Sequence, residues 1–335
     1  MQRIHPTRPT VLFLLLLGWL CACSTTGGAP EPMSDKDRLN YLKETAWYHY
    51  ENGDLVRAES QALKGLEIDK RDVQLRLMVA WIQLRSDTRE GLMIAQGMFE
   101  DLQSSEDYRA WLGLAEALER LGILYTESAL AIERGERQTL AGTPEERVTE
   151  LRQSATENWR RSIELYERTL DNSPEQLKTI NGLQRTSALL GDYAAGLHWA
   201  ERLLKITEEE STLWEAQLAR PDLTSREENR LRLNHQRTGD LKLRTHLFAS
   251  SMLRKLDRSQ EALGHLQIAA ALAPGSPDVY GRRAQLLAEL HDYEGALADL
   301  DTYLRTSTEP YDHPDIQRAF DLKTTCEEAL ASAAP

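Results

Sequence analysis

Val148, Leu151, Ala155, Trp159, Ile163, Tyr166 and Leu170 advance in steps of three and four, so they line one side of a single unbroken helix. Its start is marked by "TPEE": Thr143 as N-cap, Pro144 in the first helical position and Glu146 closing a capping box. A matching pattern upstream predicts helices at about 107–139 and 144–172, a hairpin longer than its neighbours. Two degenerate units of ordinary size are the alternative. Ile316, Ala319, Leu322, Cys326 and Leu330 mark a last helix from about Pro314 to Ser332. Between 211 and 242, "STLWEAQLA" predicts a short helix, "RPDLT" a break, and "SREE" from Ser225 a new start with a capping box. Gly239 either ends that second helix or lies inside a longer one. Leu, Ala, Glu and Arg dominate and β-branched runs are scarce, so the expected fold class is all-α.

The chain also repeats itself. "SQEALGHLQIAAALAP" from Ser259 aligns with "YEGALADLDTYLRTST" from Tyr293: Ala262 and Ala296 lie 34 residues apart, as do Leu266 and Leu300, and Ser250 and Ala284. Each segment follows a break, "LDRS" or "LHDY". "GDLVRA" from Gly53 and "GDYAAG" from Gly191 open similar segments. This pattern resembles the tetratricopeptide repeat, in which small residues sit where the two helices of a unit approach closely. The resemblance implies a right-handed superhelix of helix pairs, an α-solenoid with one elongated hairpin and a C-terminal capping helix. Its units are 39–72, 73–105, the elongated 108–175, 177–210, a degenerate 211–242, 243–276 and 277–310. Residues 311–335 form the cap, with Cys326 as a buried apolar position.

Ahead of the array, "VLFLLLLGWL" is an apolar core too short to span a membrane, preceded by Arg3 and Arg8 with no acid. Residues 1–22 therefore read as a signal peptide. "LCAC" resembles the lipobox of bacterial lipoproteins, which implies cleavage before Cys23, a diacylglycerol thioether on Cys23 and an acyl group, such as palmitate, on its amino terminus. Ordinary secretion is the alternative. Ser24 resembles the residue that sends such proteins to the outer membrane, on its periplasmic side. Residues 23–38 read as a flexible tether.

Charge narrows the partners. The formal net charge is −13, and loss of Arg3 and Arg8 lowers it by two more units. Such a surface disfavours nucleic acid. With Cys21 removed and Cys23 modified, Cys326 is the one remaining thiol, so no internal disulfide forms. No HExxH, GxGxxG, Walker loop, GxSxG or CxxC occurs, and the eight His are scattered. No cofactor, metal site or enzyme is expected.

In tetratricopeptide arrays the first helix of each unit lines a concave groove. The resemblance places Lys178, Asn181 and Arg185 there, then Arg244, Leu247, Phe248, Ser251, Arg254 and Lys255, then Arg282. Basic and amide groups converging in an acidic protein suit an acidic peptide or a C-terminal carboxylate. Ordinary solvated helix positions are the alternative. Trp47 and Tyr50 are placed as a stacking platform, or as packing against the tether or the second unit. The implied function is a membrane-anchored periplasmic scaffold for cell-envelope assembly, as in pilotin lipoproteins, outer-membrane assembly lipoproteins and protease adaptors. An envelope enzyme or cell-wall glycan binder is the second reading; acids and aromatics in one cleft would favour it.

Overall fold

The computed structural model describes residues 33–139, 142–173 and 176–333. The leader, Cys23 and most of the tether lie outside the described residues. Thirteen α-helices, and no strand, occur among those described. They are α1 (Asp35–Glu51), α2 (Leu55–Ile68), α3 (Val73–Arg85), α4 (Arg89–Leu102), α5 (Tyr108–Glu133), α6 (Pro144–Asn172), α7 (Leu177–Leu189), α8 (Tyr193–Leu218), α9 (Ser225–Lys255), α10 (Ser259–Leu272), α11 (Pro277–Glu289), α12 (Tyr293–Thr306) and α13 (Pro314–Ala333). Each helix packs on the next, and α3 also touches α5, α5 touches α7, and α11 touches α13. The odd-numbered helices thus form one layer of the array.

Three of the turns inside pairs share one local solution. A residue with positive φ ends the first helix: Gly53 at 76°, Gly191 at 80°, His291 at 63°. The Asp that follows, Asp54, Asp192 or Asp292, then caps the second helix by accepting from the backbone N–H three residues on. Ala46, Ala58, Ala262, Ala284 and Ala296 are fully buried where paired helices meet. Where α6 brings a large ring, its neighbour supplies glycine. A Cβ at Gly122 would lie 2.3 Å from the Trp159 indole nitrogen, and one at Gly182 would lie 2.3 Å from the Tyr166 ring.

Four helices depart from the unit length. α5 and α6 form the expected long hairpin, and α6 begins with the Thr143–Glu146 capping box. α5 stops at Glu133 rather than near 139, because Gly135 turns the chain at φ 71°. The second departure corrects the reading of 211–242 as a degenerate unit. "STLWEAQL" is the last eight residues of α8, which runs without interruption from Tyr193 to Leu218, and "SREE" opens α9, which continues to Lys255 with Gly239 inside it. The N-cap is Thr224, one residue before Ser225. The chain therefore has two arms. The α5–α6 turn joins an odd helix to an even one and the α8–α9 turn an even helix to an odd one, so in this antiparallel series the arms project from opposite edges. The first arm buries Ala129, Ile132, Val148 and Leu151 between its helices. In the second, none of residues 208–237 is buried.

At the far end α13 lays Ala319 over Ala284 and Leu300, and Cys326 over Leu287 and Ala296. At the near end helix α1 begins at Asp35, capped by Ser34, so the last four residues assigned to the tether are helical.

Candidate binding surfaces

The first helices of four successive pairs converge on one cleft. Trp47 and Tyr50 of α1 stack with ring centroids 5.8 Å apart. Leu77, Met78 and Trp81 of α3, Leu112 of α5 and Lys178 of α7 complete a cavity of about 250 Å³. A second cavity of about 360 Å³ adjoins it past Trp47, Met78 and Arg109 and reaches Lys43 and Glu44. Two rings of the cleft carry a cation: the Arg85 guanidinium lies 4.5 Å from the Tyr50 centroid, and Lys178 Nζ lies 4.2 Å from that of Trp81. Burial raises the Tyr50 phenol pKa, against the opposing charge of Arg85. Tyr50 packs into the core between α1, α2 and α3, whereas Trp47 stays 50% exposed.

The remaining residues placed in the groove behave differently from the expectation. Lys178 pairs with Glu116 of α5 at 2.6 Å. Arg185 donates two hydrogen bonds to Glu119 of α5, at 2.7 and 2.9 Å, and the Tyr166 hydroxyl donates a third at 2.7 Å. Burial first, and the Glu119 charge second, push the Tyr166 phenol well above its usual range, so it stays a donor. Arg254 pairs with Glu289 of α11, and Arg282 with Asp278 at 2.8 Å. These four bases are therefore not the free positive charges of a carboxylate-binding groove. Acids on the same layer of helices already neutralise them, and Lys178, Arg185 and Arg254 bridge neighbouring first helices. Arg185 also contributes to stability, because the Glu119 side chain is only 2% exposed and without Arg185 its buried charge would have no opposite charge, only the Tyr166 hydroxyl. Asn181 accepts from Gln184 at 2.7 Å. Phe248 is half-buried against the core around Leu197 and Ala249. Arg244 and Lys255 are exposed.

Trp81 was not singled out in the sequence, although a signal existed: it stands 34 residues after Trp47, the same position in the next unit. Glu116 and Glu119 carried no such signal, since they meet bases more than sixty residues away.

Residues 252–310, the end of α9 through α12, match the family model described as tetratricopeptide repeat. The fold is a tetratricopeptide-repeat solenoid. No curated protein matches the chain in sequence. Among solved structures, a thermophilic tetratricopeptide protein of Thermus thermophilus is similar at 14% identity, with 76% of this chain and 100% of that chain covered and a TM-score of 0.42. A tetratricopeptide repeat protein of Parabacteroides merdae is similar at 12% identity, with 86% and 99% covered and a TM-score of 0.40. Pseudomonas aeruginosa PilF is similar at 10% identity, with 90% and 94% covered and a TM-score of 0.36. These likenesses add nothing to what the helices themselves establish.

Proposed function

We propose that the protein is a lipid-anchored scaffold that captures an extended segment of another cell-envelope protein in the cleft between α1, α3, α5 and α7. The observation that carries this reading is the convergence of Trp47, Tyr50 and Trp81 on a cavity that stays open. Its floor is apolar and its volume suits one large side chain of a partner. Two of the rings there meet cations, Tyr50 with Arg85 and Trp81 with Lys178, which favours a protein-binding groove over a glycan-cleaving cleft. The "LCAC" pattern and Ser24 support an anchor at Cys23 in the outer membrane, facing the periplasm.

The test has two arms. Trp47→Ala, at a ring that is 50% exposed and outside the core clusters, should keep the thermal midpoint within a few degrees and lose the proteins that wild type retains from native membranes. Retention of the same proteins by the folded variant would remove the cleft from the function. Cys23→Ala should be soluble or hold an uncleaved leader. A cleaved variant that remains in the outer-membrane fraction would refute the anchor.

A further inference from the structure

α9 is 31 residues long, and one side of it is lined with bases. Arg226, Arg230, Arg237, Arg244 and Lys255 are separated by combinations of three- and four-residue steps, which place them on one helix face. The face runs about 44 Å from Arg226 to Lys255 at 1.5 Å per residue. Leu233 and Phe248 fall on the same line, as does one acid, Asp240. Ser251, also on it, accepts from Arg282 of α11 at 3.4 Å, so the line continues into the layer of first helices.

These bases differ from the others named above. All five are exposed, and among the described residues none of them has a carboxylate within ion-pair distance. Arg244 reaches only the backbone carbonyl of Asp240, at 3.2 Å. Lys178, Arg185, Arg254 and Arg282, by contrast, each have an acid. Three of the unpaired set, Arg226, Arg230 and Arg237, also sit where the fold gives least support, in the stretch with no buried residue. The second arm is held near its base by polar ties: Trp214 to Thr238 at 3.2 Å, Thr238 to Glu210 at 3.2 Å, and Lys242 to Glu208. Arg226 and Arg230 are four residues apart, a like-charge spacing that opposes helix formation. Leu213 and Leu233 stand 50% and 47% exposed on this arm.

We infer that this face of α9 is a second docking surface and that its occupant is an acidic segment of a partner protein lying along the helix. Carboxylates would accept charge-assisted hydrogen bonds from the guanidinium groups. Leu233 and Phe248 give apolar side chains of the same segment a place between the charges. Neutralising the face removes the repulsion that α9 carries alone. The formal net charge of −13 opposes an extended polyanion such as a bilayer or nucleic acid, which would meet the whole surface, whereas a peptide meets only this line. The surface lies on a helix that does not contribute to the cleft.

The test uses the full chain and a labelled helix-forming peptide of Glu, Ala and Leu, about 30 residues long to match the face, beside the same peptide with Lys in place of Glu. Anisotropy titrations at about 50 and 200 mM salt read the affinity. The acidic peptide should bind, more weakly at the higher salt, and the Lys peptide should not. Arg226→Glu combined with Arg230→Glu and Arg237→Glu should weaken binding at least tenfold and flatten its salt dependence, with an unchanged far-ultraviolet dichroism spectrum. Trp47→Ala should bind as wild type, which separates this surface from the cleft. Absence of saturable binding by the acidic peptide overturns the inference, as does equal binding by the triple variant. Tighter association with phosphatidylglycerol vesicles, or self-association in sedimentation that the triple substitution abolishes, assigns the face to another occupant and overturns it as well.

Discussion

At the scale of the residue, the most consequential pair is His246 on α9 and His265 on α10. Their Nδ1 atoms lie 2.9 Å apart, so one ring donates and the other accepts, and the two rings cannot both be protonated while the bond is kept. Burial first, then the charges of His265 and Lys242, lower the His246 pKa to about 4, with Glu208 of α8 opposing. Burial also lowers that of His265, against Glu201 and Glu261. In the unfolded chain an imidazole titrates near 6.5. Between about 6.5 and 4 the unfolded state therefore binds more protons than the folded state, and stability falls as pH falls through that window. Above about 6.5 the penalty is absent. Thermal melts should give a lower midpoint at pH 5 than at pH 7.5, and His246→Gln should shrink that difference. An identical pH dependence in the variant would show that the imidazole pair does not contribute. The same residue scale explains the fate of the predicted basic groove. Residue type and helix position placed Lys178 and Arg185 on the correct layer, but Glu116 and Glu119 on α5 decide what those charges do.

At the scale of the element, small residues record how closely helices approach. Gly182→Ala would put a Cβ 2.3 Å from the Tyr166 ring, so α7 must move off α6, at a cost of about 1–3 kcal/mol. Gly239 lies inside α9 with nothing within 4 Å of a built Cβ, and Gly239→Ala should stabilise by about 0.5–1 kcal/mol. Urea midpoints for the two variants should move in opposite directions. A neutral Gly182→Ala would show that α6 and α7 are not in close contact. The same contrast shows what the sequence made legible. The first arm was readable because Val148 to Leu170 form a stripe that must be buried and Thr143 marks its start. The second arm was not, because its tip buries nothing and leaves no apolar stripe. A 34-residue period imposed a boundary near 210, yet "TEEESTLWEAQL" contains no Gly or Pro to stop α8. The break that does exist, around Pro221, is the turn between two long helices rather than the middle of a short unit. Trp47 and Trp81 show a third case: the period itself links them, and only one was read as part of a surface.

At the scale of the whole molecule, the array is a series of local cores rather than one. Separate clusters lie around α1–α3, α3–α5, α5–α8 and α8–α11, and two small ones lie beneath α13. In such a series each pair depends on its immediate neighbours, so a lesion at one end should be felt locally. α13 tests this, because it is the last described helix and covers the apolar side of α11 and α12 through Ala319, Leu322 and Cys326. Ending the chain before Pro314 uncovers Ala284, Leu287, Ala296 and Leu300, which are buried in the intact protein. Amide hydrogen exchange should then quicken in α11 and α12, less in α10, and remain unchanged in α1–α4. A milder variant guards against collapse of the truncated chain: Cys326→Asp places a charge in a site with no exposure and should produce the same gradient with smaller amplitude. Exchange that quickened equally from α1 to α12 in both variants would mean that the solenoid unfolds as one cooperative unit, and that the cleft and the α9 face cannot be perturbed independently.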